Sequence, residues 1–284
     1  MTAISWPGTG LAAEIRDDVT AAAHALSERG RVPRLSIVVA TDDESSAWYV
    51  RMICRAAGRA GVASDVVDLG PGANAGQIRA ALEGLSADAA VHGVMLQTPL
   101  PGGISLPSLA GAISPAKDVD GASPESLGRL AAGLPAFAPA TAEAVLCLLD
   151  HYKAEISGRH AVIVGRSAVV GKPAAHLLLA RDATVTVCHS RTSDLTSHTR
   201  AADILIVAAG RAGMITGPQI RPGATVVDVG TNPTADGGLT GDVDAQTAAS
   251  AAGALTPVPG GVGPVTTAVL LRHAVNAAEA AAAG

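Results

Sequence analysis

Residues 162–189 of this 284-residue chain constrain its fold more than any other stretch. An apolar run ends at Gly165, a small polar loop follows, and Gly171 and Pro173 open an alanine- and leucine-rich segment. A second apolar run over 184–189 completes the pattern strand, helix, strand. Parallel strands joined by a crossover helix present backbone N–H groups at the helix N-terminus, where a dinucleotide pyrophosphate can be held. The spacing Gly165-Arg166-Ser167-x-x-x-Gly171-x-Pro173 departs from G-x-G-x-x-G, yet the physics is the same. Gly165 allows a tight exit from the strand, Ser167 can donate to phosphate, and Pro173 suits a first helical turn, where no N–H is needed. A nicotinamide dinucleotide is the expected ligand.

The end of the second strand discriminates between cofactors, because NAD-binding chains place a carboxylate there for the ribose hydroxyls. This strand ends in His189-Ser190-Arg191-Thr192, with no carboxylate before Asp194. Arg166, Ser190 and Arg191 therefore favour NADP, and solvated surface arginines are the alternative, for Arg191 above all.

Upstream, apolar periodicity predicts helices over 11–30, 45–61 and 74–85, alternating with strands over 35–40, 66–69 and 91–97. Residues 114–139, dense in Gly and Pro, read as loop, followed by a helix over 141–152. Strands over 160–164, 184–188, 204–208 and 225–229 make a second parallel sheet, and a helix over 265–282 is expected to pack back onto the first domain. The fold class is thus α/β in two domains with a cleft between them: 1–140 plus 265–284, and a Rossmann-like 141–264.

Composition excludes several other classes. Hydrophobic residues at 48% against 16% charged require a packed core rather than disorder. A net charge of −5 without a basic run argues against nucleic acid. No apolar run reaches the ~18 residues of a membrane span, and no basic-then-apolar leader opens the chain, so a cytoplasmic protein is expected. Three widely spaced cysteines without a C-x-x-C pair read as small buried hydrophobes in a reducing compartment, and no metal site is expected. Only five residues are aromatic (Trp6, Trp48, Tyr49, Phe137, Tyr152), so an aromatic beside polar neighbours is expected to serve a ligand.

Four blocks taken together are more specific: Gln97-Thr98-Pro99-Leu100-Pro101, Lys117-Asp118-Val119-Asp120-Gly121, Gly165 through Pro173, and Pro259-Gly260-Gly261-Val262-Gly263-Pro264. In order and spacing the chain resembles the methylenetetrahydrofolate dehydrogenase/cyclohydrolase family. The resemblance implies a folate-side catalytic domain, an NADP-binding domain and a homodimer. It implies oxidation of 5,10-methylenetetrahydrofolate to the methenyl cation, which many members then hydrolyse to 10-formyltetrahydrofolate. Carried over by motif, Tyr49 would stack on the folate rings, Asp120 would hydrogen-bond the pterin and Gln97 would sit beside the one-carbon unit. Pro259, Gly260 and Gly261 would line the substrate site, and Gly230 would join Gly165, Arg166, Ser167, Gly171, Ser190 and Arg191 at the cofactor.

One position breaks the pattern. The family's catalytic lysine lies four residues after the tyrosine, on one helix face. Here Tyr49-Val50-Arg51-Met52-Ile53 puts isoleucine there. Arg51 and Arg55 lie about 160° and 120° around the helix from Tyr49 and are too basic to shuttle protons. Thr41 and Glu44, the segment Pro139-Ala140-Thr141-Ala142 and Pro101-Gly102-Gly103 also depart from the pattern, all in the folate half. The expected protein is an NADP-dependent dehydrogenase with weak or absent cyclohydrolase activity. The alternatives are a bifunctional enzyme with another proton relay, an enzyme for an altered folate-like substrate, and a silent NADP-binding paralogue.

Overall fold

A computed structural model describes residues 2–283 of the chain. It divides into two compact units: residues up to Ala12 with Thr141–Thr266, and Ala13–Ala140 with residues from Thr267 onward.

The chain opens with strand β1 (Ile4–Ser5) and helix α1 (Thr9–Glu28). Strand β2 (Arg34–Val39), helix α2 (Glu44–Arg59), strand β3 (Ala63–Asp68), helix α3 (Ala75–Ala87) and strand β4 (Gly93–Leu96) follow. These three strands form a parallel sheet in the order β3-β2-β4, with Ile37 opposite both Val66 and Met95. Central β2 is buried from Leu35 to Val39, which is why it reads as a continuous apolar run. Helix α2 starts where the Asp43 carboxylate accepts the Ser46 N–H at 2.7 Å, and α3 where Asn74 and Gln77 cap each other. Val38, Ile78, Leu82, Val94, Leu96 and Leu109 fill the core beneath them.

Two short helices come next, α4 (Leu106–Ala110) and α5 (Pro124–Ala131). Helix α5 lies within the segment expected to be loop. The Ser123 side chain accepts the Ser126 N–H at 3.0 Å and Pro124 occupies the first turn, a start signal that outweighs the surrounding glycines and prolines.

The other unit is built from α6 (Ala140–His151), β5 (His160–Val164), α7 (Gly171–Leu179), β6 (Thr184–Cys188), α8 (Leu195–Thr199), β7 (Ile204–Val207) and β8 (Thr225–Asp228). A small hairpin, β9 (Asn232–Pro233) with β10 (Leu239–Thr240), precedes α9 (Ala245–Ala248), β11 (Ala254–Leu255) and α10 (Val262–Ala283). Its six-stranded parallel sheet has the order β1-β11-β8-β7-β5-β6. The order reverses at β5, with β6 on one side and β7 on the other, and such a reversal leaves a crevice at the strands' carboxyl ends.

The expected boundaries need correction at the start of the chain. Residues 1–12 are assigned by sequence to the first domain. Instead β1 pairs with β11, Ile4 opposite Ala254, and extends the edge of the six-stranded sheet. The aromatic expectation changes there too. Trp6 and Tyr152 stack on each other with ring centroids 4.6 Å apart, and the Tyr152 hydroxyl donates to the Pro7 carbonyl at 2.8 Å, so this pair anchors the N-terminus. Helix α10 starts at Val262, which places Pro264 in its first turn. Among the described residues no helix is long and apolar enough to cross a membrane, and no cluster of His, Cys, Asp or Glu could hold a metal ion.

Candidate active site

Within the three-stranded unit, the sites gather beyond the carboxyl ends of β2 and β4. Gln97 follows β4 and is buried. Its amide nitrogen donates to the Thr98 carbonyl at 2.6 Å, and the Ser46 hydroxyl of α2 donates to the same oxygen at 2.9 Å. The opposite end of the amide, Gln97 Oε1, is buried and meets no donor among the described residues. An unpaired acceptor in such a place is costly unless a ligand supplies the proton.

Tyr49 lies one turn after Ser46 on α2 and is half-buried. Its hydroxyl shares a hydrogen bond with Thr267 of α10 and feels the charge of Asp120; burial first, then that charge, holds the phenol well above its usual range. Burial, followed by the neighbouring Asp118 charge and partly offset by His273, pushes the Asp120 carboxyl up to about 7. The Asp120 loop is fixed from both sides. Buried Asp118 accepts the N–H groups of Ala122 at 3.0 Å and Ser123 at 2.8 Å. Buried His273 of α10 binds the Val119 carbonyl through Nδ1 at 2.8 Å, with its ring centroid 4.9 Å from that of Phe137. Gly121, at φ +59°, is needed there because a Cβ would come within 2.5 Å of the Ala138–Pro139 backbone.

An aspartate whose folded value exceeds its unfolded value near 3.9 contributes stability below that value and loses it as pH rises towards 7. Asp120→Asn is therefore expected to stabilise the fold at pH 8 by roughly 2 kcal/mol, a figure discounted for partial exposure. The difference should vanish near pH 4. Thermal melts of both proteins from pH 4 to 8 check this, and parallel curves would show that Asp120 does not titrate in this range.

Ile53, one turn beyond Tyr49, is fully buried, whereas Arg51 and Arg55 are exposed. The helix thus offers an apolar side chain at that position, with both guanidinium groups turned to solvent.

In the six-stranded unit, Gly165 leaves β5 at φ +135° and its amide donates to the Cys188 carbonyl at 2.9 Å. A Cβ on Gly165 would overlap the Ala208 carbonyl, and one on Gly171 would overlap the Gly165 carbonyl. Three backbone segments therefore meet where the strand order reverses. Ser167 Oγ accepts the amides of Val170 at 3.2 Å and Gly171 at 3.4 Å, which leaves its own proton to donate. The amides of Arg166, Ser167, Ala168 and Val169 donate to no atom of the described residues. Arg166, Ser190 and Arg191 are exposed, the last two in a turn closed by the His189 amide on Thr192 Oγ1 at 2.8 Å.

Gly230 is buried, and its amide donates to Asp228 Oδ1 at 2.9 Å; a Cβ there would overlap the Asp242 carboxyl. Gly230 thus packs directly against the carboxylates of Asp228 and Asp242. Gly260, at φ +101°, accepts the Gly8 amide at 2.8 Å in the turn before α10; Pro259 beside it is exposed and Gly261 is buried.

Residues 6–120 match the family described as tetrahydrofolate dehydrogenase/cyclohydrolase, catalytic domain, and residues 139–282 match its NAD(P)-binding domain. The chain belongs to the tetrahydrofolate dehydrogenase/cyclohydrolase family. Bifunctional protein FolD 1 of Saccharopolyspora erythraea is 62% identical over 272 residues, covering 96% of this chain and 93% of that protein. Bifunctional protein FolD of Nocardia farcinica is 55% identical over 279 residues, covering 98% and 99%. Among solved structures, the Trypanosoma brucei N5,N10-methylenetetrahydrofolate dehydrogenase-cyclohydrolase, complexed with NADP cofactor and inhibitor, superposes with a TM-score of 0.95. It is 35% identical, over 100% of both chains.

For this member of the tetrahydrofolate dehydrogenase/cyclohydrolase family, the loop after β5 fits a dinucleotide: unpartnered amides precede a helix N-terminus, and two glycines clear the floor. Sequence reading missed Thr267, His273 and Phe137 as neighbours of Tyr49 and Asp120. Asp118 was within reach, since it stands in the block quoted for Asp120.

Proposed function

We propose that the protein oxidises 5,10-methylenetetrahydrofolate with NADP and hydrolyses the methenyl product slowly or not at all. The observation that carries this reading is the neighbourhood of Tyr49: a carboxyl group with a value near 7 on one side and a buried isoleucine one turn along the helix. Tyr49 offers an aromatic face for the folate rings. Asp120, whose carboxyl burial pushes up to about 7, can donate to a pterin when protonated and accept from it when ionised. Gln97 Oε1 offers its unpaired lone pairs beside the one-carbon unit, where they favour positive charge as the cation forms.

A bound nicotinamide dinucleotide supplies the hydride acceptor. The residues that would hold it are Gly165, Ser167 and Gly171 at the phosphates, with Arg166, Ser190 and Arg191 as the exposed donors for a 2′-phosphate. Oxidation removes a C–H bond with both its electrons and moves no proton through the protein, so alignment suffices. Hydrolysis is different. Water adds to the methenyl carbon, gives up a proton, and one C–N bond breaks as its nitrogen is protonated. A positioned acid–base group is typically worth about 10²–10⁴-fold in such a step. The relatives' names as bifunctional proteins weigh towards both activities, and Ile53 weighs against the second.

The test follows NADPH formation and methenyl absorbance together, with purified protein, NADP and 5,10-methylenetetrahydrofolate. The expected result is NADPH with accumulating methenyl product that decays at its spontaneous rate. Accelerated decay would establish a bifunctional enzyme with another proton relay. Binding of NADP without any NADPH formation would overturn the dehydrogenase reading. In the same assay, replacing both Arg166 and Arg191 with Ala is expected to raise KM for NADP on the order of tenfold while leaving KM for NAD nearly unchanged. Equal effects on both would remove the arginines from 2′-phosphate recognition.

A further inference from the structure

The loop that follows β7 is held by a carboxylate to which neither motif nor family resemblance assigns a task. Asp242 is fully buried. Its Oδ2 accepts the amides of Ala209 at 2.6 Å and Gly210 at 2.8 Å, and its Oδ1 accepts the amide of Arg211 at 2.7 Å and Asn232 Nδ2 at 2.9 Å. Three successive N–H groups converging on one point form an anion-binding concavity. Here the protein fills it with its own carboxylate. A second buried carboxylate holds the first in place: Asp228 accepts the amides of Asp242 at 3.0 Å and Val243 at 2.9 Å, besides that of Gly230. Glycines at 230 and 241 permit this stacking, since a Cβ at either would overlap a carboxyl group.

The held loop borders the dinucleotide segment. Ala208 immediately precedes the three amides, and its carbonyl is the atom that a side chain on Gly165 would strike. Strands β5 and β7 are adjacent, and the crevice at the reversed strand order opens between their carboxyl ends. The loop after β5 carries the unpartnered amides, and the loop after β7 forms the facing wall. We infer that Asp242 is a positioning residue for the dinucleotide, fixing the Ala209-Gly210-Arg211 wall of its site through a full set of charged hydrogen bonds. The inference rests on the dinucleotide reading above.

Asp242→Asn replaces one acceptor oxygen with an NH₂ group, which must face a backbone N–H. The loop is released without a change in side-chain volume. Losing one or two charge-assisted hydrogen bonds at this wall is expected to weaken NADP binding on the order of tenfold or more, measured by titration calorimetry. KM for the folate should stay within about twofold, because only the dinucleotide wall moves.

Amide hydrogen exchange on the native protein, with and without saturating NADP, separates this inference from the reading beneath it. Added protection at both 165–171 and 209–211 is the expected result, with faster exchange at 209–211 in the variant. Protection at 165–171 alone would overturn the role of Asp242 and leave the dinucleotide reading standing. So would a folded Asp242→Asn protein that binds NADP as tightly as the wild type. Protection at neither segment would overturn both. Should Asp242→Asn fail to fold, Asn232→Ala removes only one of the four donors and is expected to give a smaller loss of affinity, about threefold; unchanged affinity there, with no NADP protection at 209–211 in the wild type, overturns the inference.

Discussion

Ile53→Lys is expected to raise the rate of methenyl hydrolysis by about 10²–10⁴-fold while changing NADPH formation far less. The expected gain follows from place and chemistry. Position 53 is one helical turn beyond Tyr49, so its side chain lies on the same face of α2. A lysine stem of four carbons can follow the buried path and carry its amine towards the ring that Tyr49 meets. Burial disfavours the charged form and lowers the ammonium value, which turns a surface cation into a group able to give and take protons near neutrality. Arg51 and Arg55 cannot do this from the exposed side of the helix, and a guanidinium does not release its proton in this range. Stability should fall by a few kcal/mol, because a fully buried isoleucine gives way to an ionisable group. The decisive readout is the decay of methenyl absorbance at matched NADPH production. Decay at the spontaneous rate in a folded, dehydrogenase-competent variant would show that an amine at position 53 does not supply the proton transfer. Ile53→Met, of similar volume and without a proton to move, should leave hydrolysis unchanged.

The chain's own sequence disclosed some elements and hid others for physical reasons. Strands β5 and β6 run over the residues expected: β5 is a short apolar run set between Gly158 and Gly165, both at positive φ, and β6 is a β-branched alternation that follows the positive-φ turn at Asp182. Strands β1 and β11 have two residues each and no periodicity. They exist through pairing with each other and with β8 across the length of the chain. Local signals could not reveal that, and the domain boundary at the N-terminus moved as a result. Helix α5 was legible after all, in Ser123 and Pro124, but the glycine and proline density around it masked the cap. The site divides the same way. Tyr49, Gln97 and Asp120 stand out as a rare aromatic, a strand-end amide and a loop carboxylate. Thr267 and His273 sit on a helix whose apolar pattern reads as core, and their contacts join residues more than a hundred positions apart. Asp242 is visible in the block Gly241-Asp242-Val243, but the clamp it makes is hidden for a related reason. A buried carboxylate bonded to three backbone amides and to the side chain of Asn232, in a separate loop, leaves no short pattern for a motif to contain.

Gly165→Ala is expected to be the most damaging single methyl group that can be added to the protein's dinucleotide half. Two independent costs fall on it. The backbone sits at φ +135°, a region that L side chains rarely adopt, which alone costs on the order of 1–3 kcal/mol. The new Cβ would also overlap the Ala208 carbonyl, a backbone atom that cannot rotate aside. Relief requires β5 and β7 to separate at their carboxyl ends, which draws Ala208 and the Asp242-held loop away from the phosphate segment. Loss of about 3 kcal/mol or more in stability is expected, with NADP affinity falling at least 10²-fold in whatever protein still folds. Gly158 provides the control. It too has positive φ, +73°, but a Cβ there meets nothing within 4 Å. Gly158→Ala therefore carries the backbone cost alone, about 1 kcal/mol, and should bind NADP as the wild type does. Thermal melts and NADP titrations of the two variants side by side separate conformational strain from steric closure. Equal losses would mean that the close approach of Gly165 to Ala208 contributes nothing, and that the crevice between β5 and β7 tolerates a wider opening than its backbone packing implies.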